Sequence, residues 1–140
     1  MRKDRFVAIV GAALVVVGAS GCSQAQTRSE KLARVTVGGN TFTTNAPMCT
    51  QQEMYRTIAI GDLGSRIEAV VLLDGNKVLP QWVKIRDFEG FTGSFWKGGV
   101  GDAHADIAQR KFTITGSAFG INRSSPNKAT TTDFNITAVC

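Results

Sequence analysis

Arg66-Ile-Glu-Ala-Val-Val-Leu-Leu-Asp-Gly-Asn76 is the stretch on which the fold class turns. Glu68, Ala69 and Leu72 are good helix formers, so a helix over 65–73 is one reading. Ile67, Val70 and Val71 argue the other way, because β-branched side chains lose rotamer freedom against a helical turn and fit a pleated surface instead. Asp74-Gly75-Asn76 then closes the run with a turn signal in which glycine can take positive φ without a steric penalty. The extended reading is preferred, and the same grammar recurs on both sides of it.

Upstream, Val35 and Val37 alternate with Arg34 and Thr36, and Gly38-Gly39-Asn40 leads into Thr41-Phe42-Thr43 as a hairpin. Ile58 and Ile60 alternate before Gly61-Asp62. Downstream, Trp82 to Phe88 puts Val83 and Ile85 on one face and Lys84 and Arg86 on the other. Phe91 to Trp96 is another strand, closed by Lys97-Gly98-Gly99, and Ala103 to Ile107 alternates weakly. Phe112-Thr-Ile114-Thr and Phe119-Gly-Ile121 read as strand with a bulge or bend at Gly116. Asn122 to Ala129 reads as loop, and Phe134, Ile136 and Ala138 alternate in a last strand. Roughly seven to nine short strands with Gly, Asn and Asp turns predict an all-β, antiparallel domain, either a β-sandwich or a small open barrel.

The start of the chain is different in kind. Arg2, Lys3 and Arg5 precede an apolar or small stretch from Phe6 to Ala19, and Gly18-Ala19-Ser20-Gly21 leads to Cys22. A positive segment, about 7–15 apolar residues and small residues at a cut site define an export signal. The apolar stretch is shorter than the roughly 20 residues that span a bilayer permanently, and Gly11 and Gly18 weaken it as a signal helix. The local sequence resembles the lipobox of bacterial lipoproteins, cut just before a cysteine whose thiol carries diacylglycerol. Ala19 stands where a larger aliphatic residue is usual. The expected organisation is therefore a signal peptide over 1–21, a lipidated Cys22 with a polar tether over 22–33, and a β domain over 34–140. The tether, about eleven flexible residues, has an r.m.s. span of about 18–20 Å. The expected location is the extracytoplasmic face of a cell membrane, held by covalent lipid at Cys22. Two acyl chains on one sulfur make that attachment effectively permanent, where one chain binds only marginally.

The formal net charge of +5 overstates the basicity of the exported part, because the signal takes away Arg2, Lys3 and Arg5 against Asp4. No lysine or arginine stripe points to nucleic acid. Of the three cysteines, Cys22 is assigned to lipid, leaving Cys49 and Cys140 with one pairing in a compartment that permits disulfides. Such a bridge closes a loop of about 90 residues, for which chain entropy gives roughly 4–5 kcal/mol. The competing readings are two free thiols, or a catalytic Cys49 acting with His104.

Two constellations compete with a structural reading. Asp102-x-His104-x-Asp106 could share one face of a strand and hold a metal or polarise the imidazole, but one His and two carboxylates are a thin ligand set. A solvated polar strand face is preferred. The aromatic group Trp82, Phe91, Phe95 and Trp96 could line a cleft for a lipid or small molecule, since such sites are apolar with few polar groups. Core packing is the competing and preferred reading. Gly98-Gly99-Val100-Gly101 lacks the strand–loop–helix context of a phosphate loop and reads as a turn. No catalytic residues, metal or cofactor are expected, and no enzyme.

The order and spacing of several stretches resemble the mycobacterial nineteen-kilodalton lipoprotein antigen family (LpqH-like). They are Ile58-Ala59-Ile60-Gly61, Ile67 through Asn76, Lys111 through Gly120, and Phe134-Asn-Ile136-Thr-Ala-Val139-Cys140, with Cys49-Thr50 matching the family's first core cysteine. The resemblance covers about Val35 to Cys140. It implies a surface-exposed, acylated lipoprotein antigen recognised by host Toll-like receptor 2, a pattern-recognition receptor, through its lipidated amino terminus. It also implies a non-enzymatic β interaction domain, with adhesion or ligand transport suggested for members. A lipid or small-molecule carrier is the alternative function. The family's long Ser/Thr/Ala-rich tether is replaced here by Ser23–Ala33, whose hydroxyl residues are Ser23, Thr27 and Ser29.

Overall fold

The computed structural model describes residues 33–140. The expected signal peptide, Cys22 and the tether up to residue 32 lie outside the described residues. Ten strands follow in chain order. They are β1 (Ala33–Val37), β2 (Asn40–Thr44), β3 (Met48–Gln52), β4 (Tyr55–Gly61), β5 (Arg66–Asp74), β6 (Lys77–Phe88), β7 (Phe91–Trp96), β8 (Asp102–Ala108), β9 (Lys111–Asn122) and β10 (Ser125–Val139). No helix occurs among the described residues. The extended reading of 66–73 holds, with Gly75 at φ 58° in the turn to β6.

All pairings are antiparallel, in one sheet of order β2-β1-β10-β9-β7-β6-β5-β4-β3, with β8 also on β9. The all-β, antiparallel expectation is met by a single open sheet, not by two separately bonded ones. The sheet curls on itself. Its two edges, β2 and β3, are joined by only Asn45-Ala46-Pro47, whose reach is no more than about 14 Å. Rings from β2 and β6 meet edge to face at Phe42 and Phe88, 5.6 Å apart. The Arg56 guanidinium on β4 lies 5.9 Å from the ring centre of Phe112 on β9.

The curl follows from the period-two pattern. Val35, Ile58, Ile60, Ile67, Val71, Val83, Ile85, Ile114 and Ile136 all point to the same side of the sheet and are almost fully buried, and among the described residues no polar or charged residue is fully buried with them. An apolar face on one side of so wide a sheet can leave water only by wrapping round itself, at about 25 cal/mol per Å² removed.

The structure has more strand than expected in two places, one adding a strand and one lengthening one. Met48-Cys-Thr-Gln-Gln52 has no apolar alternation, yet it forms β3 because it lies on an edge where most of its side chains face water. Residues read as loop between Asn122 and Ala129 belong largely to β10, whose register with β9 breaks between Ser125 and Ala129. The expected bend at Gly116 is instead a close approach. Gly116 pairs regularly with Phe134, and a Cβ there would stand 2.0 Å from the Asp102 carbonyl oxygen.

β7 and β8 share one position beside β9. Phe91–Ser94 pair with Phe119–Asn122, and Asp102–Ala108 pair with Lys111–Ser117. Lys97–Gly101 lifts out between them, pinned by Trp96 N–H to Val100 O at 2.9 Å and Lys97 N–H to Gln81 O at 2.9 Å. The β6–β7 ladder ends at Trp82 opposite Trp96. Beyond it, Pro80 offers no N–H, and a hollow of about 380 Å³ separates Asn76–Pro80 from Ala103–Ile107.

Candidate functional site

The structure divides the aromatic group along the strand pleat. Phe91 and Phe95 on β7 point inward and are 2% and 4% exposed. Their even spacing of four residues, with Gly93 midway, keeps both on the core face. Trp82 and Trp96 point outward, directly opposite each other across β6 and β7. The four residues therefore do not line one cleft. Two are core, and two form an external platform.

On that platform the indoles are stacked, with ring centres 6.2 Å apart and planes 25° apart. Lys84, the next outward residue of β6, places Nζ 4.9 Å from the Trp82 ring centre and 5.7 Å from that of Trp96. An ammonium over an indole face is attracted by the ring quadrupole. Glu68 is the cross-strand partner of Lys84 on β5, but its carboxylate pairs with Arg66 at 3.5 Å.

The platform extends over β9. Phe119 and Ile121 are 46% and 45% exposed, and Phe119 is opposite Ser94, one outward position from Trp96. Sequence reading missed these two as outward residues. The signal was a change of parity: Phe112, Ile114 and Ala118 are even and buried, whereas Phe119 and Ile121 are odd. Beyond Ile121 an open hollow of about 470 Å³ lies between Leu63, Arg86, Arg123 and Pro126. Arg86 donates to the Leu63 carbonyl at 3.0 Å, and Arg123 pairs with Asp87.

His104 and Asp106 lie on a different part of the surface. His104 Nε2 is 3.0 Å from Asp106 Oδ2, with both side chains about three-quarters exposed. Asp102 accepts instead from Ser117 Oγ at 2.8 Å. No group of three or more His, Cys, Asp or Glu side chains among the described residues is arranged to hold a metal ion. Cys49 and Cys140 form a disulfide, with Cα atoms 5.8 Å apart. That pairing removes Cys49 as a nucleophile for His104.

One carboxylate is tuned by the backbone. Asp62 accepts from the N–H groups of Gly64 at 2.8 Å and Ser65 at 3.2 Å, and these bonds, with Arg86 nearby, hold its pKa below the ordinary Asp value. Its role is to close the β4–β5 loop, where Gly61 takes φ 96° and a Cβ would stand 2.1 Å from the Ser65 carbonyl oxygen. Beside that loop a hollow of about 550 Å³ opens between Phe42, Phe88 and Asn45, next to the connection from β2 to β3.

Known mycobacterial sequences resemble this chain along nearly its whole length. A lipoprotein named LppE of Mycobacterium tuberculosis is 52% identical over 98% of this chain and 99% of its own length. A protein of Mycobacterium avium subsp. hominissuis, also named as a lipoprotein, is 34% identical over 99% of this chain and 96% of its own. Lipoprotein LpqH of Mycobacterium bovis is 29% identical over 100% of this chain and 99% of its own. The sequence profile of the Mycobacterium 19 kDa lipoprotein antigen matches residues 26–140, and the chain belongs to that family.

Proposed function

We propose that the protein is a non-enzymatic lipoprotein of the mycobacterial envelope, anchored on the extracytoplasmic face by acyl chains on Cys22. Those chains are also its signal to host Toll-like receptor 2. The observation that carries this reading is the run from Arg2 through the apolar stretch to Gly21-Cys22, placed ahead of a domain of a lipoprotein antigen family. The β domain is what the anchor presents. Its polar residues with catalytic character, His104 and Asp106, are solvated on a strand face, a poor setting for tuned acid–base chemistry.

Replacing Cys22 by Ala tests this reading. Intact mass should lose the diacylglycerol, and receptor-dependent reporter stimulation by highly purified protein should vanish with it. Undiminished stimulation by the variant refutes the proposal. A second reading, a carrier of a small lipid, draws on the hollow at Phe42 and Phe88, whose size falls in the usual ligand range. Native mass spectrometry of protein purified from its host tests that reading, since a carrier should retain its ligand.

A further inference from the structure

We propose that the face bearing Trp82 and Trp96 is a second, non-covalent membrane contact, which lays the β domain on the surface of an anionic phospholipid bilayer. The proposal rests on the acylated Cys22 of the preceding reading, which keeps the domain beside a bilayer.

Three observations lead to it. The first is composition by face. Outward positions of β6, β7 and the end of β9 carry Trp82, Trp96, Phe119 and Ile121. Outward positions of β8 and β10 carry Asp102, His104, Asp106 and Asp133, facing Thr113, Thr115 and Ser117 of β9. The aromatic patch thus borders a hydroxyl-rich and acidic one, and the two meet on β9 between Phe119 and Ser117. Indoles favour the boundary between headgroups and acyl chains, where one part of the ring is apolar and the N–H is wet.

The second is charge. Lys84 is held by indole faces and not by a carboxylate, and Arg66 and Arg86 face each other across β5 and β6 at the same level of the sheet. Glu68, the acid between them, is already paired with Arg66. The cations on this face therefore exceed its acids, which complements anionic lipid and not a neutral surface. A lysine lying along an indole can also turn its ammonium toward headgroup phosphate while its stem covers the ring.

The third is reach. From Cys22 to Ala33 the chain has roughly eleven residues, which extend to at most about 36–40 Å. That is comparable with the width of a small β domain, so an anchor leading to β1 permits the β6–β7 face to meet the same bilayer. Tethering also makes the contact intramolecular. A face too weak to bind vesicles from dilute solution is then effective at the high local concentration a short tether sets.

The protein contains two tryptophans, both on this face, so intrinsic fluorescence reports on it alone. The acylated full-length mature protein is reconstituted into phosphatidylcholine vesicles with or without phosphatidylglycerol, using brominated acyl chains as quenchers. Blue-shifted emission and at least about twofold stronger quenching in the anionic vesicles are expected, with the excess lost near 1 M salt, where screening falls to about 3 Å. Lys84→Glu and Trp96→Ser should each remove most of the excess while leaving the thermal midpoint and co-sedimentation unchanged. Equal emission in brominated and unbrominated vesicles, with the protein fully co-sedimenting, overturns the proposal. So does a shift produced by pyranose oligosaccharides and by no vesicle. Intact mass of the same sample reports acylation separately. The Cys22→Ala chain should still show salt-sensitive quenching at high concentrations of anionic vesicles, so failure of the anchor and failure of the face give different results.

Discussion

Cys49, on the exposed edge strand β3, and Cys140, just past the end of β10, are bonded to each other across 91 residues of sequence. In the order of the sheet, β3 is the last strand and β10 lies two places from the opposite edge. The bridge therefore fastens the β3 edge of the curled sheet to the end of β10, a strand with which β3 shares no backbone ladder among the described residues.

Removing the bridge should cost stability without changing the strand order. A loop of this length corresponds to about 4–5 kcal/mol in the chain-entropy model. The Cys49→Ser/Cys140→Ser double variant, and wild type under reductant, should share a lowered urea midpoint. A midpoint indifferent to reductant would rule out a stabilising role.

Gly93 is needed because the Phe91 ring lies over it. A Cβ at 93 would come 2.5 Å from Phe91 Cζ and 2.8 Å from the Phe119 carbonyl oxygen. Gly93→Ala should destabilise by about 1–3 kcal/mol, the usual range for overpacking. Phe91→Ala alone should cost about 3–5 kcal/mol. Combined, the two should cost less than their sum, because removing the ring clears part of the clash. Strict additivity in urea unfolding would show that the ring does not exclude the methyl group.

Arg56 stands at one end of the interior, its guanidinium over Phe112 and bonded to Gln51, while its Nε is buried with no partner. A buried donor without an acceptor carries a penalty of about 1–3 kcal/mol. Arg56→Met keeps most of the volume and removes the donor, so its stability should equal or exceed that of wild type. Arg56→Ala loses the packing of the long stem and should be less stable than either. A marked loss in the Met variant would mean that the charge itself holds the two halves of the sheet together.

Asp62 makes the β4–β5 loop sensitive to acid. Its folded pKa is depressed because Gly64 and Ser65 donate to the carboxylate. The contribution is complete above the unfolded value of about 3.9 and is lost as pH falls through the lower folded value. Carboxyl NMR titration should place Asp62 below the ordinary range, and Asp62→Ala should flatten the acid limb of the stability curve. An unshifted titration would mean the loop closes without its carboxylate.

Local sequence was enough for strands whose two faces differ. Val35/Val37, Ile58/Ile60 and Val83/Ile85 alternate with small or polar neighbours, and each lies in the strand its pattern predicts. It was not enough for β3, whose face is settled by position at an edge and not by its own residues. Nor did it sort the aromatics. Trp82 and Phe95 look alike in a list of apolar residues, and only strand register assigns one to water and the other to the core. The candidate site was half legible for that reason: its residues stood out, but not the side of the sheet each would occupy.

The choice of strand over helix was settled along the chain itself, because two-residue alternation is a one-dimensional property. The wrapping of ten strands into one sheet, the fastening of its β3 edge to the end of β10 through Cys49 and Cys140, and the meeting of Trp82, Trp96 and Lys84 were settled only in three dimensions. The reason is physical. Alternation says that a residue has a face, but which distant strand lies opposite it depends on how the whole apolar side escapes water at once.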